Sequence, residues 1–491
     1  MPDTITPNDS MPKPSVLAAV SALRQAQEVQ ASQSIRKSLQ QLVELQELHS
    51  FLQPETSLQE RLDSLQDWLA THGFIGLNKL KFVAGLPEGA GVVAKEDIQQ
   101  DSVICRVPSD LIMSTESARE HPSFKSLLLT GYASLRAIPP LLLAMFLLYE
   151  ALKPAASPSF WKPYIDSLPK DFSLPLYWEE AHWEEMAGTG MMMKAIADFR
   201  TYLRHYLTLY EIFANSSSPL VPPGVFTWHL FRWAVSAVLT RQNTIPVRLE
   251  LLSKDGKAAA GRQSGPELAW CLIPGFDLFN HEEGEATNVT RAPKAVNEGQ
   301  QIYIAYGNRS NFENLTVTGF TTYPRTLPSD LQRLLSVRRR ALLDVMGFAE
   351  GPFFVDLHRP PLRDNSSKLM SFVRVFVATK EELERDEIGI STKVKRVRAI
   401  VSRMTTTSAM GEANERRAVE WIRGRLALLR RGWTSTIADD TRVLEELERC
   451  APGERNSTWR IRRDIVFVRR TEKQVVEEVE KEVEELLAKK G

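Results

Sequence analysis

The chain has 491 residues, in which 61 basic residues balance 61 acidic ones. A chain of this length exceeds one compact core, so two or three domains are expected. Balanced charge gives no overall attraction to nucleic acid or to an anionic membrane, and we expect neither as a partner. Three cysteines without a Cys-x-x-Cys pair predict a reduced protein with no structural zinc and no other metal.

The N-terminal residues and the apolar runs favour an intracellular location. Asp3 and Asp9 lie in a polar N-terminus, unlike the apolar segment of a secretory signal. The longest apolar run, residues 138–148, is too short to cross a bilayer and predicts a core helix. We therefore expect a cytoplasmic monomer, with presence in the nucleus left open.

Residues 1–55 are predicted to form a disordered tail and an N-terminal helix. Residues 16–52 are rich in Gln, Glu, Ala and Leu, which favour a helix, and Pro54 suits a break. A further helix is predicted over residues 57–71, with Gly73 as its C-terminal stop. Its apolar residues recur at helical spacing: Leu58, Leu62, Leu65 and Leu69.

The pattern then changes to short strands with glycine-rich turns. Residues 80–84, 92–94 and 98–107 are predicted to form short strands, the last with a polar turn at Gln99 to Ser102. Between the first two lies Gly89-Ala-Gly91, which suits a hairpin turn or a close approach of backbone to a ligand. Residues 110–240 are predicted to be mostly helical, and their aromatic blocks are more typical of packing than of a ligand site.

Two stretches later in the chain combine an apolar strand with a polar end. Residues 269–273 are a predicted strand followed by Asp277, Asn280 and His281, and residues 301–306 are a second one. A strand that presents polar groups at its end is a common way to build a site. Two ordinary core strands with polar turns are the alternative interpretation.

The rest of the chain, residues 326–491, is predicted to be a separate helical domain. Helical composition covers residues 327–351, 366–385, 393–404, 412–447 and 471–490. The charge run in the last of these helices is interpreted as a solvated face.

Four motifs in order resemble those of SET-domain methyltransferases: Glu88-Gly-Ala-Gly-Val, Asp277-Leu-Phe-Asn-His281, Tyr303-Ile-Ala-Tyr-Gly-Asn-Arg-Ser-Asn311 and Thr318-Gly-Phe320. The long helical insertion and the helical C-terminal part resemble the Rubisco large-subunit methyltransferase subgroup. This resemblance implies an α+β fold, with a SET domain of short strands over residues 56–325 and a helical insertion at about 120–235. Residues 326–491 would then be a helical substrate-binding domain.

Within this subgroup the chain is similar to the branch that methylates a histidine of actin. The similar segments are residues 107–118, 160–169 and 231–246, and the last contains Thr240-Arg-Gln-Asn243. In that branch the Asn of this run faces the target imidazole. The resemblance therefore implies Asn243 as a catalytic and substrate-binding residue, and actin as the protein substrate.

The same resemblance implies S-adenosylmethionine as cofactor. Arg241 would approach its carboxylate, and Arg61 is the candidate for a further arginine ahead of the first strand. The loop Asp277 to His281 would contact its methionine and adenine portions. The remaining residues implied to line the cofactor are Glu88, Gly89, Ala90, Leu278, Phe279, Asn280, Thr318, Gly319 and Phe320.

Tyr306 would position the target ring next to the methyl-transfer channel, and a buried structural tyrosine is the alternative. Arg309 would contact the substrate backbone through its planar guanidinium. The histidine branch has Trp where this chain has Phe276 in the wall of the substrate pocket. A smaller ring leaves room for a lysine, so a protein-lysine methyltransferase is the first alternative function. A non-catalytic SET-fold binding protein is the second.

Overall fold

The computed structural model describes twelve stretches, and all structural statements below concern these: residues 12–29, 32–130, 135, 137–189, 191–217, 219–246, 268–281, 295–304, 368–379, 382, 411–451 and 455–488. The chain divides into two compact units. Unit 1 comprises Met1–Phe172 and Asp198–Asn308, and unit 2 comprises Ser173–Ala197 and Arg309–Gly491. Part of the predicted insertion thus groups with the C-terminal residues.

The N-terminal residues of unit 1 form a helical hairpin. Helices α1 (Pro14–Val29) and α2 (Ser32–Leu45) pack on each other. The ammonium of Lys13 lies 2.8 Å from the carboxylate of Glu47, so the start of α1 is close to the end of α2. The predicted helix over residues 16–52 is therefore correct in type, but it is divided into two helices and a 3-10 turn at Ser50–Leu52.

Helix α3 (Leu58–Thr71) confirms the helix predicted over residues 57–71. Ser57 caps it in a capping box with Glu60, which satisfies two backbone N–H groups that the first turn leaves without partners. The predicted stop, Gly73, has a φ of +83°, a conformation that glycine adopts without steric cost. Leu62, Leu65 and Leu69 are buried on one face, as the spacing predicted.

The strands of unit 1 are short and belong to three small sheets. Strands β1 (Leu80–Leu86) and β2 (Gly89–Ala94) form an antiparallel hairpin. A second sheet has the order β3-β5-β4, with β3 at Met113–Ser114, β4 at Asn243–Pro246 and β5 at Leu268–Leu272. Strands β6 (Asn280–His281) and β7 (Tyr303–Ile304) pair in parallel.

The strand predicted over residues 98–107 is wrong, but the polar turn predicted at Gln99 to Ser102 is present, with residues 100 and 101 in a turn. In place of a strand the chain makes isolated bridges, among them Ile98 to Val296 and Ile75 to Arg106. Asp101 takes a φ of +62° and interrupts the extended backbone.

Helices fill the core of unit 1 between the hairpin and the second sheet. Helix α6 (Pro139–Ala151) confirms the predicted core helix, since all residues from Leu141 to Leu148 are buried. It packs on α10 (Trp228–Arg241). The other described helices of unit 1 from residue 115 onward are α4 (Thr115–Glu120), α5 (Pro122–Thr130) and α7 (Lys162–Ser167). Helix α8 (Glu180–Glu185) belongs to unit 2, and α9 (Met191–Ala214) has residues in both units.

Unit 2 is helical where the structure describes it. Its C-terminal helices are α11 (Lys368–Val377), α12 (Glu412–Arg431), α13 (Ile437–Glu448) and α14 (Ser457–Ala488), and α8 packs on α14. Among the described helices of both units, none has the length and apolar character needed to cross a bilayer. The α+β class predicted from the sequence is confirmed by this mixture of helices and short strands.

The interpretation of the last charged run as a solvated face is wrong for part of α14. Glu472, Lys473 and Glu482 are each less than one-tenth exposed. Lys473 donates to Asp440 of α13 at 2.7 Å, because a buried ammonium requires an acceptor. The predicted helices over residues 327–351 and 393–404 lie outside the described residues.

Candidate active site

The loop that follows β5 leads into β6, which pairs with β7 in unit 1. After β5 the chain turns at Gly275, whose φ is +80°, and makes a 3-10 helix at Phe276–Leu278. A Cβ on Gly275 would lie 2.7 Å from Leu69, so this turn requires glycine for space as well as for its dihedral angle. The loop ends in β6, where His281 Nδ1 lies 3.3 Å from the carbonyl oxygen of Ile304 in β7. The hydrogen bond of His281 therefore fixes the loop after β5 to strand β7.

The glycine hairpin lies against the same loop. The side-chain amide of Asn280 donates to the carbonyl oxygen of Ala90 at 2.8 Å. A Cβ on Gly91 would lie 2.7 Å from Asn280 Nδ2, so the backbone approach here is too close for a side chain. The hairpin turn is therefore confirmed; the close approach seen here is to the Asn280 side chain, and an approach of the backbone to a ligand stays a prediction. Glu88 is exposed in the turn, and Gly89 and Ala90 are half-buried.

Asp277 lies within this loop and is enclosed by protein on most sides. Tyr164 of α7 donates its hydroxyl to Asp277 Oδ2. Burial raises the pKa of Asp277 to about 6, against the opposing effects of the Arg241 charge and the Tyr164 hydrogen bond. Asp277 nevertheless keeps some accessible surface, whereas Tyr164 is 1% exposed. The carboxylate is thus held by Tyr164, while Asp277 as a residue is only partly exposed.

Arg241 and Asn243 come from the junction between α10 and β4. Arg241 is the last residue of α10, and its guanidinium donates to Thr240 Oγ1 at 2.7 Å. Asn243 begins β4 and pairs with Cys271 of β5, so a three-stranded sheet fixes its backbone. Its side-chain nitrogen donates to the carbonyl oxygen of Arg241 at 3.1 Å. A carbonyl can only accept, so the amide oxygen of Asn243 points away from it and is presented to other groups.

The aromatic residues of the loop pack inward. Phe276 and Phe279 are 9% and 1% exposed, with ring centroids 5.8 Å apart. Leu278 is buried beside them. An apolar wall of this kind excludes water from the neighbouring polar groups.

Arg61 is placed differently from the other candidates. Its guanidinium donates to the carbonyl oxygen of Thr56 at 2.6 Å, and its electrostatic partner is Asp166. Burial lowers its pKa, and its Nε is buried without a hydrogen-bond acceptor among the described residues. These contacts do not join it to Asp277 or Arg241, so its role at the cofactor stays a prediction.

Five candidate residues lie outside the described residues: Tyr306, Arg309, Thr318, Gly319 and Phe320. Tyr164, in contrast, was not among the candidates, although it lies in the segment 160–169 that carried part of the resemblance. Its aromatic surroundings indicated packing, and the carboxylate that it contacts is 113 residues away in the sequence. In the described part of the chain, no three His, Cys, Asp or Glu side chains come together as metal ligands.

Comparison with known proteins agrees with the resemblance. Residues 322–476 match the family described as Rubisco LSMT substrate-binding. The structure is similar to the SET domain of LSMT bound to lysine and AdoHcy, with a TM-score of 0.64 and 21% identity, over 88% of this chain and 92% of that one. It is similar to Rubisco LSMT bound to AdoMet with a TM-score of 0.63, also at 21% identity, over 87% and 92%. The chain thus has the fold of the SET domain of LSMT, and its residues 322–476 are similar to the Rubisco LSMT substrate-binding family.

Curated relatives are similar over most of this chain. The human actin-histidine N-methyltransferase is 28% identical over 400 residues, which are 78% of this chain and 63% of the relative. The zebrafish (Danio rerio) protein of the same name is 29% identical over 378 residues, or 73% and 59%. The chain therefore spans less than two thirds of the length of these relatives.

Proposed function

We propose that this protein is an S-adenosylmethionine-dependent protein-histidine N-methyltransferase, with actin as its substrate. The observation that carries the proposal is the orientation of Asn243: its side-chain nitrogen donates to Arg241, which leaves the amide oxygen to accept a hydrogen bond from the N–H of a target imidazole. The similarity to actin-histidine N-methyltransferases supports the choice of substrate. As part of the same proposal, the protein acts as a monomer in the cytoplasm.

The charged groups at the site fit the amino-acid portion of S-adenosylmethionine. That portion carries one carboxylate and one ammonium, and the site offers one guanidinium, Arg241, and one carboxylate, Asp277. Arg241 is near enough for its charge to oppose the rise in the pKa of Asp277, and a cation and an anion in one partly desolvated site complement the two charges of a zwitterion. The hairpin Gly89 to Gly91 adds a backbone edge without bulky side chains, along which a ligand can lie.

The bound cofactor would supply an electrophilic methyl group on a sulfonium. The chain's own residues then need to align the nucleophile and exclude water, because in-line transfer requires little covalent help from the protein. A histidine is mostly neutral at physiological pH, since its unperturbed pKa is about 6.5. The amide oxygen of Asn243 would accept from one ring N–H and so leave the lone pair of the other ring nitrogen free to attack. The buried rings of Phe276 and Phe279 would exclude water.

Lysine methylation is the second candidate function. Phe276 favours it, because a phenyl ring in the pocket wall leaves more room for an aliphatic chain than an indole does. A structurally similar protein, the SET domain of LSMT, was solved with lysine bound. A target lysine would first have to lose a proton, which an amide oxygen cannot accept as a base.

The experiment is to incubate the purified chain with isotope-labelled S-adenosylmethionine and actin, and to locate the label by mass spectrometry. Label on a histidine is the expected result. Label on a lysine would replace the histidine proposal with the second candidate. Cofactor binding without any labelled actin would contradict the choice of substrate, and no cofactor binding would contradict methyltransferase activity altogether.

A further inference from the structure

Tyr164 and Asp277 join two distant parts of unit 1 in one buried hydrogen bond. Tyr164 lies on α7, where it is 1% exposed, and its hydroxyl donates to Asp277 Oδ2 in the loop after β5. A buried tyrosine hydroxyl is stabilised by a hydrogen-bond partner, and a carboxylate is the strongest acceptor available in a protein. The contact therefore fixes the orientation of the carboxylate as well as satisfying the tyrosine.

Three titratable or charged groups act on the Asp277 carboxylate. Tyr164 reaches it from α7, Arg241 acts on it from the end of α10, and Cys271 of β5 is near enough to interact with its charge. Among the described residues, these are the titratable and charged groups that face the carboxylate. Asp277 keeps accessible surface, and the 3-10 helix that carries it packs against β2 of the glycine hairpin. A ligand that lies along the hairpin would therefore reach Asp277.

We propose that Tyr164 is a positioning residue, which holds the Asp277 carboxylate toward the ammonium group of the cofactor's amino-acid portion. This inference rests on the proposed function, because it takes S-adenosylmethionine, or its product S-adenosylhomocysteine, as the ligand. Tyr164 does not touch the reacting atoms. It acts through the orientation and the charge of Asp277.

The hydrogen bond also has a consequence for the pH range of binding. Burial raises the pKa of Asp277 to about 6, and the hydrogen bond from Tyr164 opposes that rise. An ammonium ligand binds the ionised carboxylate, so affinity should fall as the pH drops through about 6. Without the hydroxyl, less opposes the effect of burial, and the same fall should occur at higher pH.

The test is to measure the Kd of S-adenosylhomocysteine by calorimetry between pH 5 and pH 8, for the unaltered chain and for Tyr164→Phe. The variant keeps the ring and loses only the hydroxyl. We expect its midpoint to lie about one pH unit higher, with affinity about tenfold weaker at pH 6 and recovering toward pH 8. An unchanged midpoint, or a loss of affinity that is equal at every pH, would overturn the inference.

Tyr210→Phe is the matched control. Tyr210 is also buried in unit 1, at 1% exposure, but its hydroxyl has no hydrogen-bond partner among the described residues. This variant should bind with the midpoint of the unaltered chain. A midpoint shift equal to that of Tyr164→Phe would assign the effect to general loosening of the core and overturn the inference.

A second variant decides the matter if Tyr164→Phe does not fold. Asp277→Asn cannot ionise, so its weakened binding should no longer depend on pH across this range. If the midpoint near pH 6 persists in Asp277→Asn, another group is responsible and the inference is overturned. Failure of the proposed function is a separate result, namely no binding of S-adenosylhomocysteine by the unaltered chain at any pH.

Discussion

Asn280 donates from its side-chain amide to the carbonyl oxygen of Ala90 at 2.8 Å, and so joins segments that are 190 residues apart in the sequence. Next to this contact, Gly91 leaves no room for a Cβ, which would lie 2.7 Å from both Asn280 Nδ2 and Leu86 Cδ1. The position of the loop therefore depends on a hydrogen bond and on a missing side chain together.

Replacing Gly91 with alanine should displace Asn280 and with it the loop from Asp277 to His281, which is proposed to bind the cofactor. We expect the Kd for S-adenosylhomocysteine to rise at least tenfold, which corresponds to about 1.4 kcal/mol. Calorimetry on the purified variant measures this. Lys81→Ala, an exposed position on the first strand of the same hairpin, is the control and should bind as the unaltered chain does. An unaltered Kd for Gly91→Ala would mean that this approach plays no part in binding.

Replacing Asn243 with alanine should separate methyl transfer from cofactor binding. In the proposed function the amide oxygen of Asn243 holds the target ring and does not bind the cofactor, so the rate of histidine methylation should fall by about two orders of magnitude, as for a lost positioning group. The Kd for S-adenosylhomocysteine should stay within about twofold. Steady-state methylation of actin and calorimetry give the two numbers.

Thr244→Ala is the control for this prediction, because Thr244 is the next residue of β4 and is exposed. It should leave both quantities unchanged. Equal losses of methylation and of cofactor affinity in Asn243→Ala would show that Asn243 supports the cofactor pocket and does not select the imidazole tautomer.

Local patterns predicted the elements that their own residues determine. The leucine spacing of α3 and its stop at Gly73 were correct, because helix spacing and capping depend on near neighbours in the chain. The strand predicted over residues 98–107 was wrong, because its pairing is limited to single bridges that composition does not encode.

In the candidate site, too, the residues that a local pattern marks were predicted, and those that depend on distant contacts were not. Asp277, Asn280 and His281 stood out as polar residues at the end of a strand, and the structure places them in one loop. Tyr164 did not stand out, because its role depends on a contact with a residue far away in the chain. The burial of Lys473 on α14 was not predicted for the same reason, since its partner Asp440 lies on another helix.

The free energy of unfolding should depend on the ionisation of Asp277. Its pKa is raised in the folded state from 3.8 to about 6, so the folded protein binds this proton more tightly than the unfolded chain. The resulting stabilisation is full below about pH 4 and is lost as the pH rises through 6. Two pKa units correspond to about 3 kcal/mol at most, and partial solvent access reduces the expected loss to about 1–2 kcal/mol.

Asp277→Asn tests this without ligand, by chemical denaturation at pH 5 and pH 8. The variant should lack this part of the pH dependence and should be more stable than the unaltered chain at pH 8. If the two proteins lose the same stability between these pH values, the carboxylate of Asp277 is not the group that titrates.

Removing the charge of Asp440 should destabilise unit 2 strongly. Asp440 is fully buried and accepts from Arg469 at 2.7 and 3.0 Å, from Lys473 at 2.7 Å and from Ser435 at 2.8 Å. Asp440→Asn leaves two buried cations without an anionic partner, and such a loss costs about 3–5 kcal/mol. Lys473→Met leaves one ion pair intact and should cost clearly less. Thermal unfolding that ranks these two variants in the opposite order would contradict this account.

Gly424 offers the opposite test, a substitution that should stabilise. It lies within α12 on an exposed face, and a Cβ there would meet no atom within 4 Å. Alanine at an open position inside a helix restricts the unfolded chain and favours the helix by about 0.5–1 kcal/mol. Gly424→Ala should therefore raise the melting temperature of the helical unit.

Gly411→Ala is the contrasting variant. Gly411 has a φ of +88° that alanine adopts only with strain, so this variant should lower the melting temperature. A melting temperature that rises in both variants would show that the backbone at Gly411 relaxes, and one that falls in both would show that α12 is covered at Gly424.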